Sequence, residues 1–353
     1  MAVTQKQIAQ HLSMSQPQVA QALNGHPGVS AATRQRVLDA AKAMGYDVNS
    51  NARARQLAAI RHGKPIKTGT VAVLMGDFLE GLPLQQLPFF REILQGLHEE
   101  IESHDSHIAT YYLSRNSKLP RSILGGAVDG VICLYSSTIE HELNQVKFDV
   151  PVIRLGGATE DWHLRPDDFD GIYQITNHLI ELGHQHIAFL GDIEQEFCVF
   201  AHEERLRGYK QALKDAGLEL NEELLFNVND PSHQDGYDTM KAALEQGLHF
   251  TAVVCLNDLT ALGAIDAAQD SGLNVPQDLS ITGFDGLVWD YPSATQLTSV
   301  FFDRRSMGRK AVRRIYDAEP REKTVREIVP TQLNVRKTTA VPCAQGVGTV
   351  ATL

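Results

Sequence analysis

Cysteine is scarce in this 353-residue sequence: there are four, at positions 133, 198, 255 and 343, and no C-x-x-C pair. Spacing this wide carries neither a disulfide framework nor a zinc-ligand pattern. Cys133 and Cys255 fall inside the apolar runs Val131–Leu134 and Val253–Leu256, so reduced core thiols are expected. No apolar run is long enough to span a bilayer, and the first residues, with Gln5, Gln7 and His11, lack the apolar core of a signal peptide. A membrane is therefore not an expected partner, and a cytoplasmic location is. Also missing are H-E-x-x-H, G-x-S-x-G, a P-loop and G-x-G-x-x-G, so no metal, no cofactor and no catalytic residue is expected. Pro342 to Leu353 contain no charge, no helical period and no leucine heptad, which reads as a loose tail without a coiled-coil device.

Basic residues are also short overall, with a net charge of -11, which taken alone argues against nucleic acid. Their distribution reverses that inference. Residues 1–62 hold Lys6, Arg34, Arg36, Lys42, Arg53, Arg55 and Arg61 against Asp39 and Asp47, a local charge of +5, which leaves the remainder at -16. A small basic head on an acidic body suits a protein whose head meets phosphates while its body avoids non-specific contact.

Within the head, residues 4–25 read as two short helices joined by a tight turn at Leu12-Ser13-Met14, a helix-turn-helix. Thr4 with Gln7 and Ser15 with Gln18 each form the S/T-x-x-E/Q pattern, which satisfies orphan backbone donors at a helix start. Ile8, Ala9, Leu12, Val19, Ala22 and Leu23 recur at helical spacing, enough to pack both helices on a third. That third helix starts at Ser30, an N-cap residue, and stops at Gly45. Residues 47–61 are helix-prone but too short and polar to be stable alone, and 63–69, with Gly63, Pro65 and Gly69, read as a linker.

From Val71 the pattern becomes short apolar strands alternating with amphipathic helices. Strands are expected at 71–75, 108–113, 131–134, 152–155, 187–190, 225–228, 252–256 and 280–284, with helices at 87–103, 172–182, 205–216, 235–246 and 259–270. Alternation of this kind predicts an α/β fold of parallel sheets covered on both faces, and the strand count predicts two doubly wound lobes. Ligands then belong at the carboxyl ends of the strands, in the cleft between the lobes.

Several separated motifs together resemble the LacI family of bacterial transcription regulators. They are Val3-Thr4, Leu23-Asn24-Gly25, Val29-Ser30, Thr33-Arg34 and Gly45-Tyr46 in the head, then Pro88-Phe89-Phe90, residues 178–184 leading to 187–191, and Arg205-Leu206-Arg207-Gly208-Tyr209. Asn257-Asp258, residues 275–280, Gly283-Phe284-Asp285 and Met307-Gly308 complete an ordered set running from Val3 to about Thr339. The resemblance implies a helix-turn-helix domain (1–46), a hinge helix (47–62), a linker (63–69), a periplasmic-binding-protein-like effector and dimerisation domain (70–340) and a loose tail (341–353). It places the two lobes at 70–166 plus 296–322 and at 167–295 plus 323–340.

The same resemblance implies a homodimeric repressor that binds a pseudo-palindromic double-stranded DNA operator, with a small carbohydrate effector in the interlobe cleft. Gln16, Pro17 and Gln21 fall where the family reads bases. Gln21 replaces the usual arginine, and Gln18 and Ala20 replace threonine and serine, so a different half-site is expected, with adenine at the glutamine positions. Gln18 is counted among the DNA-binding positions, and Thr4, Ser15, Asn24, Ser30 and Thr33 match positions that hold phosphates, where helix capping is the competing role. Asn51, Ala54, Arg55 and Leu57 match the hinge helix, Leu57 being the leucine that wedges into the minor groove. In the cleft, Phe89, Phe90, Arg205, Tyr237, Asn257 and Asp285 match effector-binding positions: an aromatic platform with Arg, Asn and Asp to fix hydroxyls.

Three other readings compete. An enzyme would have to use groups such as His184-Gln185-His186 or His202-Glu203-Glu204, and the first pair reads as structural because it brackets a helix-to-strand turn. A solute-binding protein would share the body but would not carry the basic head. A DNA-binding regulator controlled by a protein co-regulator is the principal alternative.

Overall fold

The computed structural model describes residues 3–23, 28–46, 67–75, 88–113, 118–125, 127–134, 140–146, 148, 150–156, 164–193, 200–229, 231–287, 296–317 and 326–343. Met1–Lys67 and Thr68–Leu353 form two compact units. Asn24, Asn51, Ala54, Arg55 and Leu57, the expected hinge helix and most of the expected tail lie outside the described residues.

The first unit holds α1 (Gln5–His11), α2 (Gln16–Leu23) and α3 (Ala31–Ala43). Thr4 and Gln7 close the capping box over α1. Ser15 and Gln18 repeat it at α2, Gln18 N donating to Ser15 Oγ at 3.4 Å and Ser15 N to Gln18 Oε1 at 3.1 Å. Thr33 N donates to Ser30 Oγ at 3.2 Å, the expected cap of α3, and Gly45 ends that helix with φ +70. The turn between α1 and α2 is tight because Ser13 adopts φ +52. Ile8, Val19 and Val37 are fully buried at the centre, each contributing about 2 kcal/mol.

The second unit alternates strands and helices in this order: β1 (Thr70–Met75), α4 (Pro88–Ser103), β2 (His107–Tyr112), α5 (Arg121–Leu124), β3 (Gly130–Leu134), α6 (Glu140–Gln145), β4 (Val152–Leu155) and β5 (Leu164–Pro166). There follow α7 (Asp168–Glu181), β6 (Ile187–Gly191), α8 (Phe200–Asp215), β7 (Leu225–Asn227), α9 (His233–Glu245), β8 (Ala252–Cys255), α10 (Asp258–Asp270) and β9 (Ser280–Asp285). β10 (Thr298–Phe302), α11 (Arg304–Asp317), β11 (Glu327–Val329) and β12 (Thr331–Asn334) complete the described strands and α-helices. They build two six-stranded sheets, β11-β5-β4-β3-β1-β2 and β12-β10-β9-β8-β6-β7, parallel except where β12 runs against β10. Central strands β1, β3, β6, β8 and β9 are buried almost end to end, as parallel strands covered on both faces must be.

The lobes exchange chain later than the expected boundaries at 296 and 323. Thr298–Phe302 pairs with β9 in the second sheet, so residues 296–302 do not belong to the first lobe. The chain crosses at Asp303, and α11 packs on α4 of the first lobe. Glu327–Val329 then joins β5 in the first sheet, and the chain crosses back at Pro330 to enter β12. Strand pairing decides this division, and pairing partners are not legible in short strands such as Glu-Ile-Val or Thr-Gln-Leu-Asn. The α4–α11 crossing is close because it is made at glycines: a Cβ on Gly96 would strike the Arg305 carbonyl, and one on Gly308 the Ile93 carbonyl.

Candidate functional site

In the head, Gln16 and Pro17 occupy the first turn of α2, and Gln21 follows four residues after Pro17 on the same face. All three are exposed, while Val19 and Ala22 hold the opposite face in the core. Thr4, Ser15, Gln18 and Ser30 are also exposed, and Thr33 is half-buried. Thr4, Ser15, Gln18 and Ser30 are committed to their caps, so in this structure the capping role is the one they perform. Arg36, one of the head's basic residues, is exposed and donates to the Leu12 carbonyl at 3.3 Å, tying α3 to the turn.

In the second unit, Arg205, Asp285 and Phe89 come together through residues that the sequence reading did not single out. Arg205 on α8 donates from Nε to Asp168 Oδ1 at 2.9 Å and from Nη1 to the Leu256 carbonyl at 2.7 Å, at the carboxyl end of β8. Its guanidinium lies 3.8 Å from the ring centre of Phe284, a cation–π contact, and its Nη2 is 3.8 Å from Asp285 Oδ1. Asp285 ends β9 with φ +114, a conformation unusual for a non-glycine residue. Its carbonyl accepts from Arg304 Nη1, and Arg304 also pairs with Glu92 at 2.9 Å and lies 5.7 Å from the ring centre of Phe89. Phe89 meets Phe302 edge-on at 6.0 Å, whereas Phe90 is buried in the core of the first lobe. Phe90 thus serves packing, and Phe89 is the half-buried ring beside the cluster.

Buried carboxylates dominate the electrostatics. Asp258 accepts from Ser299 Oγ and from Leu287 N, each at 2.5 Å, yet burial raises its pKa to about 6 against those bonds. Burial pushes Asp285 to about 7, opposed by Arg205 and reinforced by Asp258. Asp285 Oδ1 is buried and accepts no hydrogen bond from a described residue. Nearby, His202 on α8 contacts Asp192 at 3.2 Å, and burial lowers its pKa. The network continues from Asp168 to Arg165 at 3.2 Å and from Arg165 to Glu204 at 3.4 Å.

Asn257 sits beside this cluster, at the end of β8, with its amide already occupied. Its Oδ1 caps α10 through Thr260 N at 2.8 Å, and its Nδ2 donates to the Pro231 carbonyl at 3.0 Å. Tyr237 is not brought to the cluster. Its hydroxyl donates to Asp270 at 3.0 Å, at the far end of α10, in a surface depression shared with His233 and Asp266. The residues missed were Asp168, Asp258, Phe284 and Arg304. Asp258 and Phe284 stood inside motifs already singled out, whereas the buried roles of Asp168 and Arg304 depend on tertiary contacts with no local signal.

His184 is structural, as expected. Its ring bridges Thr251 Oγ1 at 2.7 Å and the Ala340 carbonyl at 2.9 Å, and burial lowers its pKa. Cys133 and Cys255 are buried free thiols, and burial raises the pKa of Cys255. Among the described residues no group of three metal-ligating side chains occurs, and no helix is long and apolar enough to cross a membrane.

Comparison with known proteins agrees with this architecture. Residues 176–339 match the periplasmic binding protein-like domain family. Catabolite control protein A of Priestia megaterium is 30% identical over 351 residues, covering 96% of this chain and all of that protein. The solved complex of the transcriptional regulator CelR with cellobiose is 27% identical with a TM-score of 0.64, over 95% of this chain and 99% of that one. The lac repressor dimer bound to operator and the anti-inducer ONPF has the same fold, with a TM-score of 0.74 at 23% identity over 96% of this chain and 100% of that one. The full-length match, the helix-turn-helix head and the two-sheet body together establish that the chain belongs to the LacI family of DNA-binding transcriptional regulators.

Proposed function

We propose that this regulator is a repressor that binds a pseudo-palindromic operator as a homodimer and changes its operator affinity when a small carbohydrate occupies the cleft of its second unit. Gln16, Pro17 and Gln21 read bases in the major groove. Thr4, Ser15, Asn24, Ser30 and Thr33 face phosphates, and Gln18 lies on the same DNA-binding helix. Residues 47–62 form the hinge helix, with Leu57 as its minor-groove wedge and Asn51, Ala54 and Arg55 beside it. A segment that folds only when paired on DNA supplies an order–disorder switch.

The observation that carries the ligand reading is Asp285 Oδ1, buried with no hydrogen bond from a described residue at the carboxyl end of a parallel strand, beside Arg205 and near the half-buried Phe89. A buried acceptor without a donor is costly, and a sugar hydroxyl supplies the donor. The same end of an open α/β sheet is where ligands bind in this architecture. Arg205 and Asp285 then orient the ring against Phe89, while Asn257 holds the start of α10 beside them. Tyr237 is left out of the site, because its hydroxyl is engaged with Asp270 on the outer surface.

Titrating a sugar library by thermal melting, followed by operator binding with each hit, tests the proposal. A cleft effector raises the melting temperature and shifts operator affinity together. If no sugar does either, the effector reading fails and control by a protein co-regulator takes its place.

A further inference from the structure

β9, β8 and β6 are consecutive strands of the second sheet, and a charged or polar side chain stands at the carboxyl end of each. Asp285 closes β9, Arg205 donates to the Leu256 carbonyl just past β8, and Asp192, just past β6, contacts His202 at 3.2 Å. Resting on the effector reading, we infer that His202 is a further sugar-binding residue of this site, its Nε2 accepting a hydrogen bond from a hydroxyl of the bound carbohydrate.

His202 lies in the first turn of α8, three residues before Arg205, which puts the two side chains on one face of the helix. Its Nδ1 is 3.2 Å from Asp192 Oδ2, and the ring makes no other hydrogen bond with a described residue. Asp192 keeps 2% of its side chain exposed and the imidazole 13%, so the ring is the open member of the pair. A carboxylate accepts, so Nδ1 of the neutral ring carries the proton and Nε2 is left as an acceptor. Burial, assisted by Arg205, lowers the pKa of the ring and favours this neutral form, while Asp192 and Asp168 oppose it.

His184 shows what a purely structural histidine looks like in this fold. Both of its ring nitrogens are spent, one on Thr251 Oγ1 and the other on the Ala340 carbonyl. His202 spends one. Together with Asp285 Oδ1, which accepts no hydrogen bond from a described residue, it gives two acceptors on either side of the β8 end, where Arg205 is fixed. A polyol carries several hydroxyl donors at short spacing and meets both acceptors at once, which a ligand with a single donor does not.

The full-length protein is titrated by calorimetry with free pentoses, hexoses and disaccharides. For a sugar that binds, His202→Phe, which keeps a ring without an acceptor, is expected to weaken binding at least about fivefold. His202→Gln, whose amide oxygen reaches towards the place of Nε2, is expected to stay within about threefold of the unaltered protein. Monodeoxy forms of the same sugar identify the hydroxyl: one is expected to lose at least about fivefold on the unaltered protein and no more than about twofold on His202→Phe. Equal affinity of the unaltered protein and a folded His202→Phe overturns the inference while leaving the effector reading in place. So does a loss in His202→Phe that no monodeoxy form cancels, since the effect is then steric. Should His202→Phe fail to fold, the unaltered protein decides, through acylation by diethyl pyrocarbonate read by mass spectrometry on the peptide that carries His202. The ring is expected to react in the free protein and to be protected by saturating sugar. A ring that is unreactive in the free protein, or that reacts equally with sugar bound, overturns the inference. If no sugar binds the unaltered protein, the effector reading itself fails, and the role of His202 falls with it.

Discussion

Arg205 Nε and Asp168 Oδ1 lie 2.9 Å apart, joining α8 to the first residue of α7, with Asp168 fully buried and Arg205 6% exposed. Replacing Arg205 with Met keeps much of its volume but leaves Asp168 with one cation fewer in a dry environment. Breaking a buried pair from one side costs about 3 kcal/mol. Arg205→Met is therefore expected to lower the unfolding free energy by that amount, read from the shift of the urea midpoint, and to abolish sugar binding. A variant of unchanged stability would show that Arg165 alone is sufficient for Asp168.

The crossing of α4 and α11 makes a prediction about packing alone. Gly96 and Gly308 bring the two backbones into contact, and a methyl group at either would meet a carbonyl oxygen that no side-chain rotation can move aside. Gly308→Ala is expected to destabilise the second unit by about 2 kcal/mol. Thermal melting of the full chain checks it, and an unchanged midpoint would mean that the helices separate at little cost.

These two cases show what the sequence makes legible. Periodicity placed β1, β3, β4, β6, β8 and β9 within about a residue of their observed limits, because buried parallel strands read as continuous apolar runs. The caps at Thr4, Ser15 and Ser30 were legible because their partners lie three residues away. β5, β11 and β12 were not, since Leu-Arg-Pro or Thr-Gln-Leu-Asn becomes a strand only through its neighbour in the sheet. α11, written Arg-Arg-Ser-Met-Gly-Arg-Lys, hides its apolar face among cations that pair with Glu99, Glu100 and Glu327. At the site, Arg205 and Asp285 were legible as motif members, whereas the acid that holds Arg205 and the arginine that holds Asp285 belong to distant segments.

Asp285 sets a pH dependence. Its pKa in the fold is about 7, above the ordinary aspartate range, so the native state holds the proton more tightly than the unfolded chain. The stability linked to this group is present at low pH and is lost as pH rises from about 4 through 7. Asp258, raised to about 6, acts in the same direction. Asp285→Asn is expected to lessen the decline in melting temperature between pH 5 and 7, within about one unit of the titration. The groups facing Asp285 are Arg205, Arg304, Asp258 and Asp168, and none is altered in that comparison. Parallel profiles for the two proteins would show that Asp285 is ionised throughout.

Operator choice gives the last prediction. Gln21 is exposed four residues after Pro17, on the face of α2 opposite Val19 and Ala22, so a change there leaves the core of the head untouched. Glutamine pairs in two-point fashion with adenine, whereas arginine does so with guanine O6 and N7, and each good pair is worth about 1–3 kcal/mol of discrimination. Selection from randomised half-sites is expected to return adenine at the positions read by Gln16 and Gln21. Gln21→Arg is expected to convert one position per half-site to guanine and leave the others unchanged. Loss of binding to every sequence would indicate damage to the head, which the melting temperature of the variant detects. An unaltered consensus at full affinity would place Gln21 outside the base contacts, and the reading of α2 would then rest on Gln16 and Pro17.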